Sequence, residues 1–429
     1  MCQNDRRPIG ATPLRRIAVI VACLLGLGAL AVAQNSPTTV RAGVLIDGTG
    51  ETRRNVRIFI EDGTITRIDG LRGAVTHDLS NLVVMPGWID THVHLAAHFD
   101  PDGQIHRDTT VETEGQAMLY AVANAYRTLM AGFTTVQSLG SPVDKDLRDW
   151  IARGDLPGPR VLTSIRPVTA ETGDAEAIRR FVQSLAADGA DVVKIFASAS
   201  IRDGGERAMS DEQIQAACGE ATAQGLRTAV HAYGTEVIRA AILAECTSIE
   251  HGNRYDDEVI DLLAEHGTYL SPQIELLYRN YFDNRDRFLG IGDYTSAGFA
   301  RMEQARRIGI DTFIRTLTNS AVKVVFGTDA VAGAHGLNVE ELVARVEEGR
   351  QDEMAAIISA TSVAAESLGL GNEIGTIAEG FKADLVAVDG NPLDNITSLR
   401  NVRFVMKEGQ VYRNEVPPVS PAAPSRRRR

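Results

Sequence analysis

Near the start of the chain apolar positions alternate with polar ones. Val56-Arg57-Ile58-Phe59-Ile60 and Thr64-Ile65-Thr66-Arg67-Ile68 flank a turn at Glu61-Asp62-Gly63, and Gly43-Val44-Leu45-Ile46 precedes them. A period of two places successive side chains on opposite faces of a strand, so this stretch predicts a small β unit. The same pattern returns late, in Ala383-Asp384-Leu385-Val386-Ala387-Val388 and Val402-Arg403-Phe404-Val405-Met406. The two pieces, residues 37–85 and 372–415, are expected to pair into one composite β-sandwich domain.

Between them, over residues 86–371, short apolar runs alternate with amphipathic stretches. Eight runs read as strands: Trp88–Leu95, Thr134–Ser138, Arg160–Ile165, Val192–Phe196, Thr228–His231, Thr247–His251, Thr268–Ser271 and Lys323–Phe326. Helical spacing fills the intervals, as in Glu112–Leu129, Ala175–Ala187, Asp211–Gln224 and Ala300–Ser320. This alternation predicts α/β architecture, a (β/α)8 TIM barrel beside the smaller β domain. The length of 429 residues accommodates both.

The chain ends read differently. Arg15-Arg16 precede an uncharged run, Ile17 to Ala33, that closes on Ala31-Val32-Ala33. That order of charge, apolar core and small residues predicts a signal peptide over residues 1–33, cleavage near Ala33, and export to a periplasmic or extracellular location. A lipoprotein site at Cys23, an uncleaved anchor and a twin-Arg signal are the competing readings. At the other end, Arg426–Arg429 follow a Pro-rich stretch, and residues 416–429 read as a disordered tail. The formal charge of −12, with acidic residues spread through the body, argues against a nucleic-acid partner. Cys218 and Cys246, the two cysteines left after cleavage, are expected to be small buried apolar residues rather than a stabilising disulfide.

Candidate chemistry gathers at the strand ends. His92 and His94, two apart on one strand, face the same side, and one metal ion can sit between two imidazoles. His231 closes the fifth run, His251 the sixth, and Asp329 follows the eighth. Lys194 lies inside the fourth run, where an unpaired ammonium is costly to bury. Active sites of barrels form at the C-terminal ends of the strands, so these six side chains are expected to converge. Asp90 shares the inward face but lies deeper, which suits a structural hydrogen-bonding role, and His266 before Gly267 reads as a helix C-terminal residue. His77, His98 and His106 lie in loop-like text and are expected to be solvated, with the substrate mouth as the alternative for the last two.

The ordered motifs Pro86-Gly87-Trp88-Ile89-Asp90-Thr91-His92-Val93-His94, Gly132-Phe133-Thr134-Thr135-Val136, Lys194, His231-Ala232-Tyr233-Gly234, Ile249-Glu250-His251-Gly252, Gly327-Thr328-Asp329 and Ile374-Gly375-Thr376 through Leu385 together resemble the amidohydrolase superfamily. Within it the chain looks most like the metal-dependent prolidase-like and Xaa-Arg dipeptidase branch, which also contains ochratoxinase-type amidases. The resemblance implies two divalent metal ions, usually zinc, with His92 and His94 on the first, His231 and His251 on the second, and Lys194 bridging them as a CO2-derived carbamate. It further implies Asp329 as metal ligand and catalytic proton carrier, and a homo-oligomer, an octamer in some relatives. Tyr233 and His335 are candidates for the oxyanion or a substrate carboxylate, and Arg202 and Arg279 for a carboxylate. The expected function is hydrolysis of an amide or peptide bond in dipeptides or N-acyl amino acids. Two alternatives stand beside it: an imidazolonepropionase-like cyclic-amide hydrolase with one metal, and a non-catalytic interaction protein on the same barrel.

Overall fold

The structure is a computed structural model that describes residues 37–70, 73–106 and 112–416. The expected signal segment and all but the first residue of the expected tail lie outside the described residues. Among those described, no helix is long and apolar enough to cross a membrane.

Four strands open the chain: β1 (Thr38–Ile46), β2 (Thr52–Glu61), β3 (Thr64–Asp69) and β4 (His77–Pro86). Seven more follow: β5 (Trp88–Val93), β6 (Phe133–Ser138), β7 (Arg160–Thr163), β8 (Val192–Phe196), β9 (Arg227–Gly234), β10 (Ser248–Arg254) and β11 (Tyr269–Ser271). The helices between and after them are α1 (Glu114–Met130), α2 (Val143–Ala152), α3 (Ala175–Asp188), α4 (Asp211–Ala223), α5 (Thr235–Leu243), α6 (Asp257–His266), α7 (Leu276–Asp283), α8 (Arg285–Phe288), α9 (Ser296–Thr316), α10 (Val339–Glu347), α11 (Glu353–Ser359) and α12 (Ser362–Ser367). The chain then returns through β12 (Leu385–Val388), β13 (Val402–Lys407) and β14 (Gln410–Asn414). Local chemistry sets several boundaries. Thr113 and Gln116 form a capping box on α1, Ser210 and Gln213 one on α4, and α6 stops at Gly267 in the left-handed region with His266 in its last turn.

Both chain ends enter one seven-stranded sheet, β14-β13-β12-β4-β1-β2-β3, rather than two separate sheets facing each other. The junction is β12 running antiparallel to β4. Period two then sorts the side chains: Leu385, Phe404 and Val84 join one apolar cluster with Val40 and Ile58, whereas Val386, Val405 and Met85 turn to the other face and join the core around Trp88 and Phe133.

The parallel strands form a three-stranded sheet, β5-β6-β7, and a four-stranded sheet, β11-β10-β9-β8. The expected single closed ladder is therefore replaced by two arcs joined through isolated bridges. After β7 the backbone turns left-handed at Ile165 (φ 59°) and then meets Pro167, which has no N–H, so pairing with β8 resumes only at Val168 and Ile195. The eighth expected run, Lys323–Phe326, makes one bridge to β11 at Val324, and the chain just beyond it bridges β5 at Ala330. Its hydrogen bonds are nonetheless satisfied on both sides: Val325 N–H donates to Leu270 at 2.9 Å, and Phe326 C=O accepts from Thr91 N–H at 3.0 Å.

Cys218 on α4 and Cys246 just after α5 form a disulfide, correcting the expectation that they are only small apolar residues. They are 28 residues apart, and only the packing of consecutive crossover helices brings them together. In the chain-entropy picture a loop of that length stabilises the fold by about 3–4 kcal/mol.

A second buried tie positions α7. Both oxygens of Glu341 are used: Oε1 accepts from Ile274 N–H at 2.7 Å, and Oε2 from Glu275 and Leu276 N–H at 3.0 and 2.8 Å. Arg345, one turn on and fully buried, lies 3.5 Å from the same carboxylate and donates to the Val325 and Pro272 carbonyls. Removing the carboxylate leaves three N–H groups without an acceptor and the buried Arg345 charge without its counter-ion. We expect Glu341→Ala to destabilise the protein by about 3–5 kcal/mol, read from chemical denaturation, with a loss well above that of Glu340→Ala, whose half-buried carboxylate pairs with the exposed Arg400.

Candidate active site

The site begins with Asp90. Its buried carboxylate accepts from His92 N–H (3.1 Å), Thr328 N–H (3.1 Å), Thr328 Oγ1 (2.6 Å) and Asn338 Nδ2 (2.7 Å). Burial pushes this carboxyl up to about 7, against the pull of those donors. Three of the four bonds fasten the Thr328–Asn338 segment to β5, and Asp329 N–H adds a bond to the His92 carbonyl at 2.7 Å.

Asp329 therefore stands beside the two histidines of β5. Its Oδ1 is 2.9 Å from His94 Nε2 and 3.4 Å from His92 Nε2. Lys194, fully buried on β8, places Nζ 3.2 Å from His92 Nε2. His251 packs against His92 (ring centroids 5.4 Å) and against His231 (4.5 Å). The ligand atoms of His92, His251 and Asp329 all lie within 4.8 Å of one another. His251 and Asp329 both take left-handed backbone, φ 72° and 52°, a strained choice for residues other than glycine.

Glu250 completes the cluster. His92 Nδ1 donates to its Oε2 at 2.9 Å, and its Oε1 accepts from Ser248 Oγ at 2.7 Å. This fixes the tautomer, so Nε2 of His92 turns its lone pair toward Asp329 and Lys194. Glu250 lies within the motif Ile249-Glu250-His251-Gly252, which by itself assigns it no role. The available signal was spacing: an acidic residue at an inward, buried strand position needs a partner.

Burial sets the charges. It lowers the pKa of His92 and of His251, takes His231 to about 3, and lowers Lys194. Burial also pushes Asp329 up, but the surrounding histidines outweigh it and hold the carboxyl well below its usual range. Neutral imidazoles beside an ionised carboxylate are the donor forms that a divalent cation binds.

These groups floor a cavity of about 480 Å³. Tyr233, stacked on His251 at 4.8 Å, lines it together with Tyr278, Tyr281 and Tyr294. Arg202 enters the wall with its Nε 2.9 Å from Asp293 and its guanidinium 4.3 Å over Tyr294. Asp144 also lines it, with its carboxyl pushed up to about 6 by burial, and sequence reading did not single it out. His335 is not among the lining residues: it is buried along a separate groove with Tyr126 and Arg127, and burial takes it to about 3. Arg279 pairs with Glu340 at 3.4 Å away from the cavity. His98 and His106, expected to be solvated, are largely buried, and His106 lines the cavity.

Comparison with known proteins places this geometry in context. A solved Xaa-Pro dipeptidase with methionine bound in its active site is similar over 88% of this chain and 100% of its own, with 30% identity and a TM-score of 0.80. A prolidase solved with N-methylphosphonate-L-proline covers the same shares at 25% identity and a TM-score of 0.79. Ochratoxinase from Aspergillus niger is 26% identical over 437 residues, 88% of this chain and 86% of its own. Such neighbours imply a TIM barrel with a β-sandwich domain, the arrangement that the two parallel sheets and the composite sheet approximate. Residues 83–412 match the family model of the amidohydrolases, and the chain accordingly belongs to the amidohydrolase family, as a hydrolase acting on amide bonds.

Proposed function

We propose that the protein is an exported, binuclear metal-dependent amidohydrolase that cleaves the amide bond of dipeptides or N-acyl amino acids next to a free carboxylate. The observation that carries this reading is the convergence of His92, His94, Lys194, His231, His251 and Asp329 on one cavity floor, with Arg202 in its wall. The donor chemistry fits divalent metal: neutral imidazoles, an ionised Asp329, and a Glu250 that orients His92 from behind. His92 and His94 would hold one ion, His231 and His251 the other, with Asp329 on the first and Lys194 as a carbamate between them. When bound, the two cations supply Lewis acidity, a lowered pKa for water and polarisation of the scissile carbonyl.

The chain's own groups supply the rest. Burial lowers the Lys194 pKa and so favours the uncharged amine that CO2 requires; its nitrogen would form the new C–N bond and release one proton. Asp329, ionised on the cavity floor, takes the proton of the attacking water and returns it to the leaving nitrogen, which departs only once protonated. Burial raises the Tyr233 phenol, which therefore stays protonated and donates toward the developing oxyanion. Arg202 offers a cation to the substrate carboxylate, and the tyrosines around it suit an apolar side chain.

His92, His251 and Asp329 alone would suit a single metal, as in an imidazolonepropionase-like enzyme; Lys194 at 3.2 Å from His92 favours two. The Cys218–Cys246 disulfide supports export, because such bonds persist in oxidising compartments. Mass spectrometry of native protein is expected to find Gln34 at the N-terminus; a chain retaining residues 1–33 would count against export.

Zinc-reconstituted protein is expected to hydrolyse members of a dipeptide and N-acyl amino acid panel and to spare the same compounds with the carboxylate amidated. Equal turnover of both sets would remove the proposed carboxylate contact. Lys194→Ala is expected to lose bound metal and at least 100-fold in kcat/KM. Lys194→Arg should be damaged as much, since a guanidinium stays cationic and cannot be carboxylated. Full activity with two metals in Lys194→Arg would overturn the binuclear reading.

A further inference from the structure

Three more side chains converge in the loop between β5 and α1. His98 Nε2 lies 3.0 Å and His106 Nε2 3.1 Å from the same atom, Glu112 Oε2. All three atoms are buried, and among the described residues none has a hydrogen-bond partner, so neither contact has the direction of a hydrogen bond.

The loop is built to hold them. Residues 98–106 form a tight hairpin, with Phe99 bridging Ile105 and His106 N–H donating to the His98 carbonyl at 3.1 Å. Arg287 pins the hairpin from α8, its Nε donating to Gly103 O at 2.7 Å and its backbone carbonyl accepting from Ile105 N–H at 2.9 Å. Glu112 directly precedes Thr113, the capping residue of α1. Tyr120, two turns into α1, stacks on His98 at 3.9 Å, and His98 stacks on His106 at 4.8 Å.

Hydrogen bonding does not account for this arrangement, since neither Nε2–Oε2 contact has hydrogen-bond direction. His98 Nδ1 donates to the Ala96 carbonyl at 2.8 Å, which in a neutral ring leaves the lone pair on Nε2, facing a carboxylate oxygen. Lone pair against lone pair is repulsive. A cation between the three atoms turns the same contacts into ligation. Ligands around a tetrahedral zinc lie about 3.3 Å apart, close to the separations here, and a two-imidazole, one-carboxylate set with one position open is a zinc pattern. Calcium and magnesium, which take mainly oxygen, fit it poorly.

We propose that His98, His106 and Glu112 bind a divalent transition-metal ion, separate from the centre on the cavity floor, and that this ion clamps the β5–α1 loop where His106 lines the cavity. Zinc is the probe. Chelator-stripped wild type, His106→Gln and Glu112→Gln are reloaded to saturation, desalted and assayed by elemental mass spectrometry. Each variant is expected to hold one zinc fewer than wild type. Lys194→Ala, disabled at the cavity floor, is expected to retain a zinc that adding Glu112→Gln removes. Equal zinc content in wild type and both loop variants overturns the site. So does a Lys194→Ala protein that binds no zinc, a readout that needs no loop variant to fold. Failure of the binuclear reading looks different: Lys194→Ala keeps the wild-type zinc content while the loop variants still drop by one.

Discussion

Asp90 is a fully buried carboxylate with four donors, drawn from β5 and from the segment that follows the last parallel run. At that seam the strands pair irregularly, through the isolated bridge of Val93 to Ala330 and single backbone bonds such as Thr91 N–H to Phe326 C=O. The carboxylate adds side-chain hydrogen bonds of definite direction to these, and so helps set where Asp329 stands relative to His92 and His94. A neutral isostere would keep some of the bonds, but a charged acceptor makes them stronger, which offsets part of the cost of burying it.

The same exchange of desolvation against fixed partners shapes the whole cavity floor. Water is excluded from His92, Lys194 and Glu250, so each relies on its neighbours for the interactions water would have supplied. The result is a row of nitrogen ligands facing the Asp329 carboxylate, with Glu250 and Ser248 behind His92. The strained backbone of His251 and Asp329 fits this picture: unusual conformations survive where the surroundings over-determine them.

The cavity walls come from elements far apart in the chain. Glu341 anchors the start of α7 and so the placement of Leu277 and Tyr278, while Asp293 draws Arg202 toward Tyr294. The hairpin carrying His98 and His106 forms another part of the rim, held by Arg287 and by Asn124, which donates to the carbonyls of Leu95 and Ala97. Specificity in such an enzyme therefore rests on buried polar ties in the loops as much as on the metal-binding floor.

Periodicity alone determined most of the strand and helix order, because alternation at two and at 3.6 residues is a local property of the chain; the eighth expected run, Lys323–Phe326, is the exception and makes only an isolated bridge. His92, His94, Lys194, His231, His251 and Asp329 were legible for a related reason: each sits at or near the end of an apolar run, and parallel strands bring such ends together. Asp90 was readable too, as a polar residue on the inward face of a strand. What the tertiary structure decided depends on distance in space. Glu250 acquires its role only when β10 faces β5, and Cys218 meets Cys246 only when α4 packs beside α5. His98 and His106 looked like solvated loop residues because nothing local marks a hairpin that folds them onto Glu112 and Tyr120. His335, on a loop close in sequence to Asp329, lines a different groove with Tyr126 and Arg127, a placement set by residues far apart in the chain. The joining of the two chain ends in one sheet was likewise fixed by pairing between strands hundreds of residues apart, which no short window of sequence encodes.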